Sequence, residues 1–154
     1  METEGRRNLS MILIRVIVGL VFLTEGILKF VRPDELGWGR FASIGLPYPQ
    51  VLAPVVGGTE IVAGAAVLLN LYAGDAAILL VVVIVTALVT TKLPILLGRP
   101  LGPFALVKLP HYGLLSFLHE ARLDFCMLFA SVAILIDSGQ RIGHRTPWYQ
   151  SRKL

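Results

Sequence analysis

Charged residues are scarce in this chain: 16% of its 154 residues are Asp, Glu, Lys or Arg, where ordinary soluble domains carry about a quarter. Cysteine occurs once, at Cys126. That excludes an internal disulfide and any cysteine-built metal centre. Cys126 stands in an apolar run, which predicts a packed thiol rather than a redox centre. The three histidines, His111, His119 and His144, are too far apart in sequence to suggest a metal site. No His-x-x-x-His pair, glycine-rich phosphate loop or nucleophile elbow is present, so no catalytic signature emerges. The net charge of +4 does not indicate a nucleic-acid partner. The basic residues are scattered over both ends and the loops, with no stripe interleaved with aromatics. Basic residues flanking apolar spans are what membrane anchoring uses. No cleavable signal pattern is expected, because the first apolar run is too long for one and carries charge within it.

Apolar residues are abundant: 55% of the chain is hydrophobic and the mean hydropathy is +0.75. A helical crossing needs about 20 apolar residues, so four spans with short connections use most of the length. The pattern predicts an all-α integral membrane four-helix bundle forming one transmembrane domain over 1–154. Its spans fall at about 11–31, 51–71, 76–97 and 116–137. Arg32-Pro33 ends the first span, since proline disfavours helix in the residue before it. Pro33 to Gln50, with Trp38, Phe41 and Tyr48, reads as an interfacial loop. The short turn at Tyr72–Asp75 makes spans two and three antiparallel neighbours. The third span is rich in valine and isoleucine, but its length and lack of alternation favour helix over strand. From Leu101 to Phe117 the chain is apolar but broken by Pro103 and Pro110, which predicts an interfacial or re-entrant segment. The clean apolar run at Phe125–Ile136 is too short to cross alone. The fourth span must therefore take His119, Glu120, Arg122 and Asp124 into the membrane, and Asp137-Ser138-Gly139 is expected to end it. The tail, with Trp148, Tyr149, Arg152 and Lys153, is expected at the interface. Basic residues in the loops lean towards cytoplasmic termini, although counting those inside the spans produces a tie.

A charge near the centre of a span costs about 2.5–3.5 kcal/mol on insertion scales, so each such residue must face protein or water. Glu60 lies close to the middle of span two with no basic residue within a turn. Gly57, Glu60 and Gly64 share a helix face, and small residues there let another helix approach. Glu60 therefore points at a neighbouring helix, either as a structural ion pair or as part of a ligand or proton site. Span one offers partners: Glu25 and Lys29 stand one turn apart, acid before base. Arg15, Phe22 and Lys29 recur at spacings of seven, as do Gly19 and Gly26. Arg15 and Lys29 are near enough to the span ends to snorkel instead. Glu120 and Asp124 share a face in span four and require a basic partner or neutralisation, since two ionised carboxylates there repel. Arg122 points roughly the other way. His111 and Tyr112, beside Pro110, are weaker candidates for holding a quinone head group; interfacial anchoring is the plainer reading.

Three stretches together resemble a known family. Span one reads Arg15…Gly19-Leu-Val-Phe22-Leu-Thr-Glu25-Gly26-Ile-Leu-Lys29-Phe30. The following loop reads Phe41-Ala-Ser-Ile-Gly45-Leu-Pro47, and span two reads Gly58-Thr-Glu60-Ile-Val-Ala-Gly64. In order and spacing these resemble the DoxX family of small four-helix membrane proteins, over about residues 11–70. The family's usual span-one Gly and Lys correspond to Gly26 and Lys29, and its span-two Glu to Glu60. Leu101–Phe117 has no firm family counterpart. The resemblance implies a membrane location and a link to redox systems. The family is named for subunits associated with a terminal quinol oxidase and with an archaeal thiosulfate:quinone oxidoreductase. Other members look like partners of redox-defence or thiol-handling proteins.

The leading expectation is a quinone-linked membrane subunit of a redox system in a prokaryotic plasma membrane. Its polar site inside the bundle is built by Glu60, Glu25 and Lys29 with Glu120, Arg122 and Asp124. The chain itself supplies no metal or other cofactor, with quinone as the one possible small molecule. Its partners are the bilayer and other redox subunits or further copies of itself. The alternatives are a small transporter or proton pathway, since carboxylates within spans serve such proteins, and a structural anchor or assembly factor.

Overall fold

The first helix, α1, runs from Glu2 to Val31 and stops at the Arg32-Pro33 break. It starts well before the apolar run, because Glu2 to Ser10 is free of proline and glycine apart from Gly5. The computed structural model describes residues 2–143, with side chains from 8 to 139; the tail carrying Trp148, Tyr149, Arg152 and Lys153 lies outside them. Inside the expected interfacial loop the chain forms a short helix, α2 (Trp38–Ile44), closed by Gly45 in the left-handed conformation at φ 90°. Helix α3 (Pro49–Leu68) begins with proline at its first turn, where a missing N–H costs nothing. Helix α4 (Ala73–Ala87) follows a tight turn in which Asn70 and Tyr72 take positive φ.

At Leu88–Lys92 the helix widens into one π turn before continuing as α5 (Leu93–Leu97). Pro94 supplies the reason. It has no N–H for the carbonyl of Thr90, and its ring crowds that carbonyl. The Leu93 N–H reaches back to Leu88 instead, five residues away. A π turn holds an extra residue and re-aims every side chain after it. The last helix, α6 (Leu114–Gly143), is 30 residues long, or about 45 Å.

Among the described residues, three helical stretches are long and apolar enough to cross a membrane: Asn8–Val31, Pro49–Leu68 and Ala73–Leu97. The third is helical throughout, as its length predicts. Helix α6 is not among the three; it carries Glu120, Arg122, Asp124 and Asp137. It also runs through Asp137-Ser138-Gly139, which were expected to end it. Asp137 is buried and paired across the bundle, so it holds the helix in place rather than stopping it.

Helix α1 packs mainly on α3, α3 on α4 and α4 on α6, and α6 returns to α1. The centre of this ring is Val18, Phe22, Ala63, Val67, Ala77, Leu80, Ile84, Met127 and Ile134. Large apolar side chains such as Leu13, Val55, Val62, Leu79, Val82 and Phe129 face outward. In water that surface would drive aggregation; in a bilayer it meets a solvent as apolar as itself. Cys126 is exposed on α6, contrary to the packed thiol expected from its apolar run. An apolar stretch of a long helix still has a side turned away from the bundle, and Cys126 is on it.

The α1–α3 seam is built on two glycine rungs. A Cβ at Gly26 would stand 2.7 Å from the Gly57 carbonyl oxygen, and one at Gly19 would stand 2.9 Å from that of Gly64. Both rungs repeat every seven residues in antiparallel register, so the backbones touch twice along one face.

The stretch from Gly98 to Gly113 forms no helix. Leu101 and Phe104 exchange two backbone hydrogen bonds around Gly102, the Ala105 N–H donates to the Ile44 carbonyl at 2.7 Å, and the Gly113 N–H donates to that of Ile95. These bonds tie the segment to α2 and α5, so the two long connections lie together at one end of the bundle.

Candidate functional site

Among the described residues, three ion-pair groups link the helices. The Lys29 ammonium donates to Glu60 Oε2 at 2.6 Å, with both side chains nine-tenths or more buried. Lys29 lies three residues beyond Gly26, and Glu60 three beyond Gly57. The glycine rung therefore brings the two backbones close enough for a short, dry pair. Lys29 also reaches its own helix at the Glu25 carbonyl, at 3.4 Å. Its ion-pair partner is Glu60 across the seam, not the Glu25 carboxylate one turn away.

Arg15 Nη2 donates to Asp137 Oδ2 at 2.8 Å, with side chains 7% and 5% exposed. Arg15 is near enough to its span end to snorkel to the membrane surface; instead it is buried against α6. A long stem permits snorkelling, but a carboxylate at bonding distance inside the bundle outweighs it. Arg15 and Asp137 are 122 positions apart, and that pairing could not be read from local spacing.

The third group is looser. Lys92 Nζ stands 3.8 Å from Glu120 Oε2 and 3.9 Å from Asp124 Oδ2. No hydrogen bond among the described residues uses its ammonium. The neighbouring Thr90 and Thr91 hydroxyls donate to carbonyls one turn back, Thr90 to Thr86 and Thr91 to Ala87. The π turn and Pro94 set the direction in which Lys92 leaves the helix.

One cavity of about 490 Å³ joins two of these groups. Glu25, Lys29 and Glu60 line its α1–α3 wall, and Lys92 of the π turn with Glu120 and Asp124 of α6 the opposite side. Arg40 of α2 also faces it. Between the charges the lining is mostly apolar, with Phe22, Phe41, Ile84, Leu123 and Met127 among it beside Thr86, Thr90 and Thr91. Five of the six bundle residues singled out from sequence therefore meet at one space. The sixth, Arg122, does not: it is exposed, and its guanidinium donates to the His119 carbonyl on its own helix. His111 and Tyr112 also lie outside the cavity and exposed. The Tyr112 hydroxyl donates to the Val107 carbonyl and accepts from the Leu109 N–H, both at 3.2 Å, so it staples the connecting segment.

Sequence reasoning missed Lys92 and Arg40 as site residues. For Lys92 a signal existed: a lysine two residues before a proline inside an otherwise apolar span. Arg40 gave none, since α2 looked like loop. No group of three or more His, Cys, Asp or Glu among the described residues has a metal-holding arrangement.

Comparison with known proteins agrees with this helical membrane architecture. The sequence model of the DoxX family matches residues 10–93, which takes in both glycine rungs, the Lys29–Glu60 pair and Lys92. The chain is 44% identical over 126 residues to an uncharacterized membrane protein of Mycobacterium tuberculosis, Rv3486, covering 82% of this chain and 73% of that protein. No solved structure matches.

Proposed function

The chain belongs to the DoxX family, and from that premise we propose that it is a membrane-embedded binding subunit of a redox system, receiving the head of a quinone in its bundle cavity. One observation carries the reading: an apolar-walled space of about 490 Å³ with charged groups at its sides, enclosed by helices apolar on their outer faces. Ligand sites have this character, mostly apolar with a few placed polar groups. A lipid-soluble ring with polar oxygens matches both parts. A partner protein supplies the electron-carrying centre, and this chain holds and orients the carrier.

In this reading α6 is the fourth crossing. Three of its four charges within Glu120–Asp137 support that: Glu120 and Asp124 face the cavity and Asp137 faces Arg15, so none of the three needs lipid contact. The exposed Arg122 lies about two turns from the helix start, where its long stem reaches the surface. Both termini then share the cytoplasmic side of a prokaryotic plasma membrane. The capped end with α2 and the Gly98–Gly113 segment lies at the opposite surface.

Titration of the purified protein in lipid nanodiscs with a short-chain ubiquinone analogue tests the proposal. Saturable binding, with or without co-purified partners, is expected. Its absence in both preparations refutes it. A second reading, a proton or solute pathway, has an observation in its favour: four carboxylates, Glu25, Glu60, Glu120 and Asp124, line one space. Liposome flux abolished by Glu60→Gln, without quinone binding, would select it.

A further inference from the structure

Among the described residues, Lys92 is the ammonium in the cavity that makes ion pairs but no hydrogen bond. Its two carboxylates stand at 3.8 and 3.9 Å, beyond direct hydrogen-bond reach. An N–H···O bond wants about 2.9 Å and a charge-assisted O–H···O⁻ bond about 2.6 Å. A hydroxyl oxygen at those two distances from Nζ and a carboxylate oxygen makes an angle of roughly 90° between them. A hydroxyl can accept with a lone pair and donate its hydrogen at that angle. One hydroxyl therefore bridges the separation by accepting from Lys92 and donating to Glu120 or Asp124. A carbonyl oxygen at the same point satisfies Lys92 alone and sets a second acceptor against the carboxylates. The site thus distinguishes a hydroxyl from a carbonyl on the same ring.

Phe22, Phe41, Ile84, Leu123 and Met127 share the cavity with this cluster. They provide apolar contact for a flat ring whose polar edge reaches Lys92. From the bridging distances and this lining we infer that the Lys92–Glu120–Asp124 cluster is a redox-state-selective subsite, binding the reduced ring diol in preference to the oxidised dione. The inference rests on the quinone reading above and adds to it a docking point and a preference. Lys29–Glu60 is already closed at 2.6 Å and does not take part in the selection.

The test compares, under argon and in nanodiscs, a short-chain benzoquinol, its oxidised quinone and its dimethyl ether by calorimetric titration of the full chain. The quinol is expected to bind roughly tenfold or more tightly than either of the others, the worth of one charge-assisted hydrogen bond. The double variant Glu120→Gln/Asp124→Asn is expected to bring the quinol:quinone ratio near one, whereas Lys92→Met, which removes the donor shared by hydroxyl and carbonyl, is expected to weaken both forms and leave the quinol the tighter. Retained binding of the oxidised form shows that a variant is folded; Lys92→Arg serves as a second, charge-preserving variant that keeps part of the preference. Equal wild-type affinities for quinol and quinone overturn the inference and leave the quinone reading standing, as does a preference that survives the Glu120→Gln/Asp124→Asn variant. Binding of none of the three probes overturns both.

Discussion

The Gly26–Gly57 rung is the tightest backbone approach on the α1–α3 seam, and replacing Gly26 with alanine measures what it contributes. The new Cβ would stand 2.7 Å from the Gly57 carbonyl oxygen, 2.8 Å from Ile61 Cγ1 and 2.9 Å from the Ile61 nitrogen. Two of those three atoms are backbone and cannot swing away. Restoring an ordinary contact of 3.4 Å from 2.7 Å moves the helices apart by roughly 0.7 Å, and close-packed interiors resist that. Overpacking of this kind costs about 1–3 kcal/mol. Alanine also gains about 0.5–1 kcal/mol over glycine within a helix, which masks part of the loss. Gly58 is the matched control, because a Cβ there meets nothing within 4 Å and its substitution shows the helix gain alone. The difference between Gly26→Ala and Gly58→Ala therefore isolates the contact, at about 1–3 kcal/mol. SDS titration of the purified variants, followed by circular dichroism, reads that difference. Equal unfolding midpoints for the two variants would refute the close-approach account of the seam.

Three further predictions follow from the same geometry. Lys29→Met leaves the Glu60 carboxylate without its partner and is expected to cost about 3–5 kcal/mol, whereas Lys29→Met/Glu60→Leu recovers most of it; a double-mutant cycle by SDS unfolding decides, and additive losses would contradict a direct pair. If α6 crosses the membrane, Cys126 on its outward face resists a charged maleimide in intact vesicles and reacts after detergent is added, while a cysteine placed at Leu115 reacts without detergent; mass spectrometry of the labelled chain reads both. Tyr112→Phe and Arg122→Gln are expected to leave quinone affinity within twofold, because neither residue lines the cavity, and Tyr112→Phe costs about 0.5–1.5 kcal/mol through the loss of a neutral hydrogen bond.

Much of the architecture was legible in the sequence because the bilayer imposes a simple rule. Apolar runs near 20 residues become helices, since unpaired backbone groups have no water to turn to. That rule located α3, the α4–α5 helix and the end of α1 to within a few residues, while α1 begins nine residues before its apolar run. It handled α6 less well: the helix passes through Asp137-Ser138-Gly139, because Asp137 finds Arg15. It said nothing of α2, whose seven residues carry no periodic signal. The π turn was also invisible, although its cause, Pro94, was in plain view.

For the site, the sequence by itself determined which carboxylates were costly enough in the membrane to need a purpose, and it marked Glu60 on its glycine-lined face. It also set the seven-residue recurrence of Gly19 with Gly26 and of Gly57 with Gly64, the condition for a close seam. Only the tertiary structure decided who pairs with whom. Lys29 could have served Glu25 or snorkelled, and Arg15 could have reached for the surface. Helical spacing permits each of these and ranks none, because local geometry fixes faces and not neighbours. The folded bundle selected Glu60 for Lys29 and Asp137 for Arg15, where burial makes an unpaired charge expensive. It left Lys92 between two carboxylates at distances no local rule sets, since they depend on a π turn in one helix and the register of another.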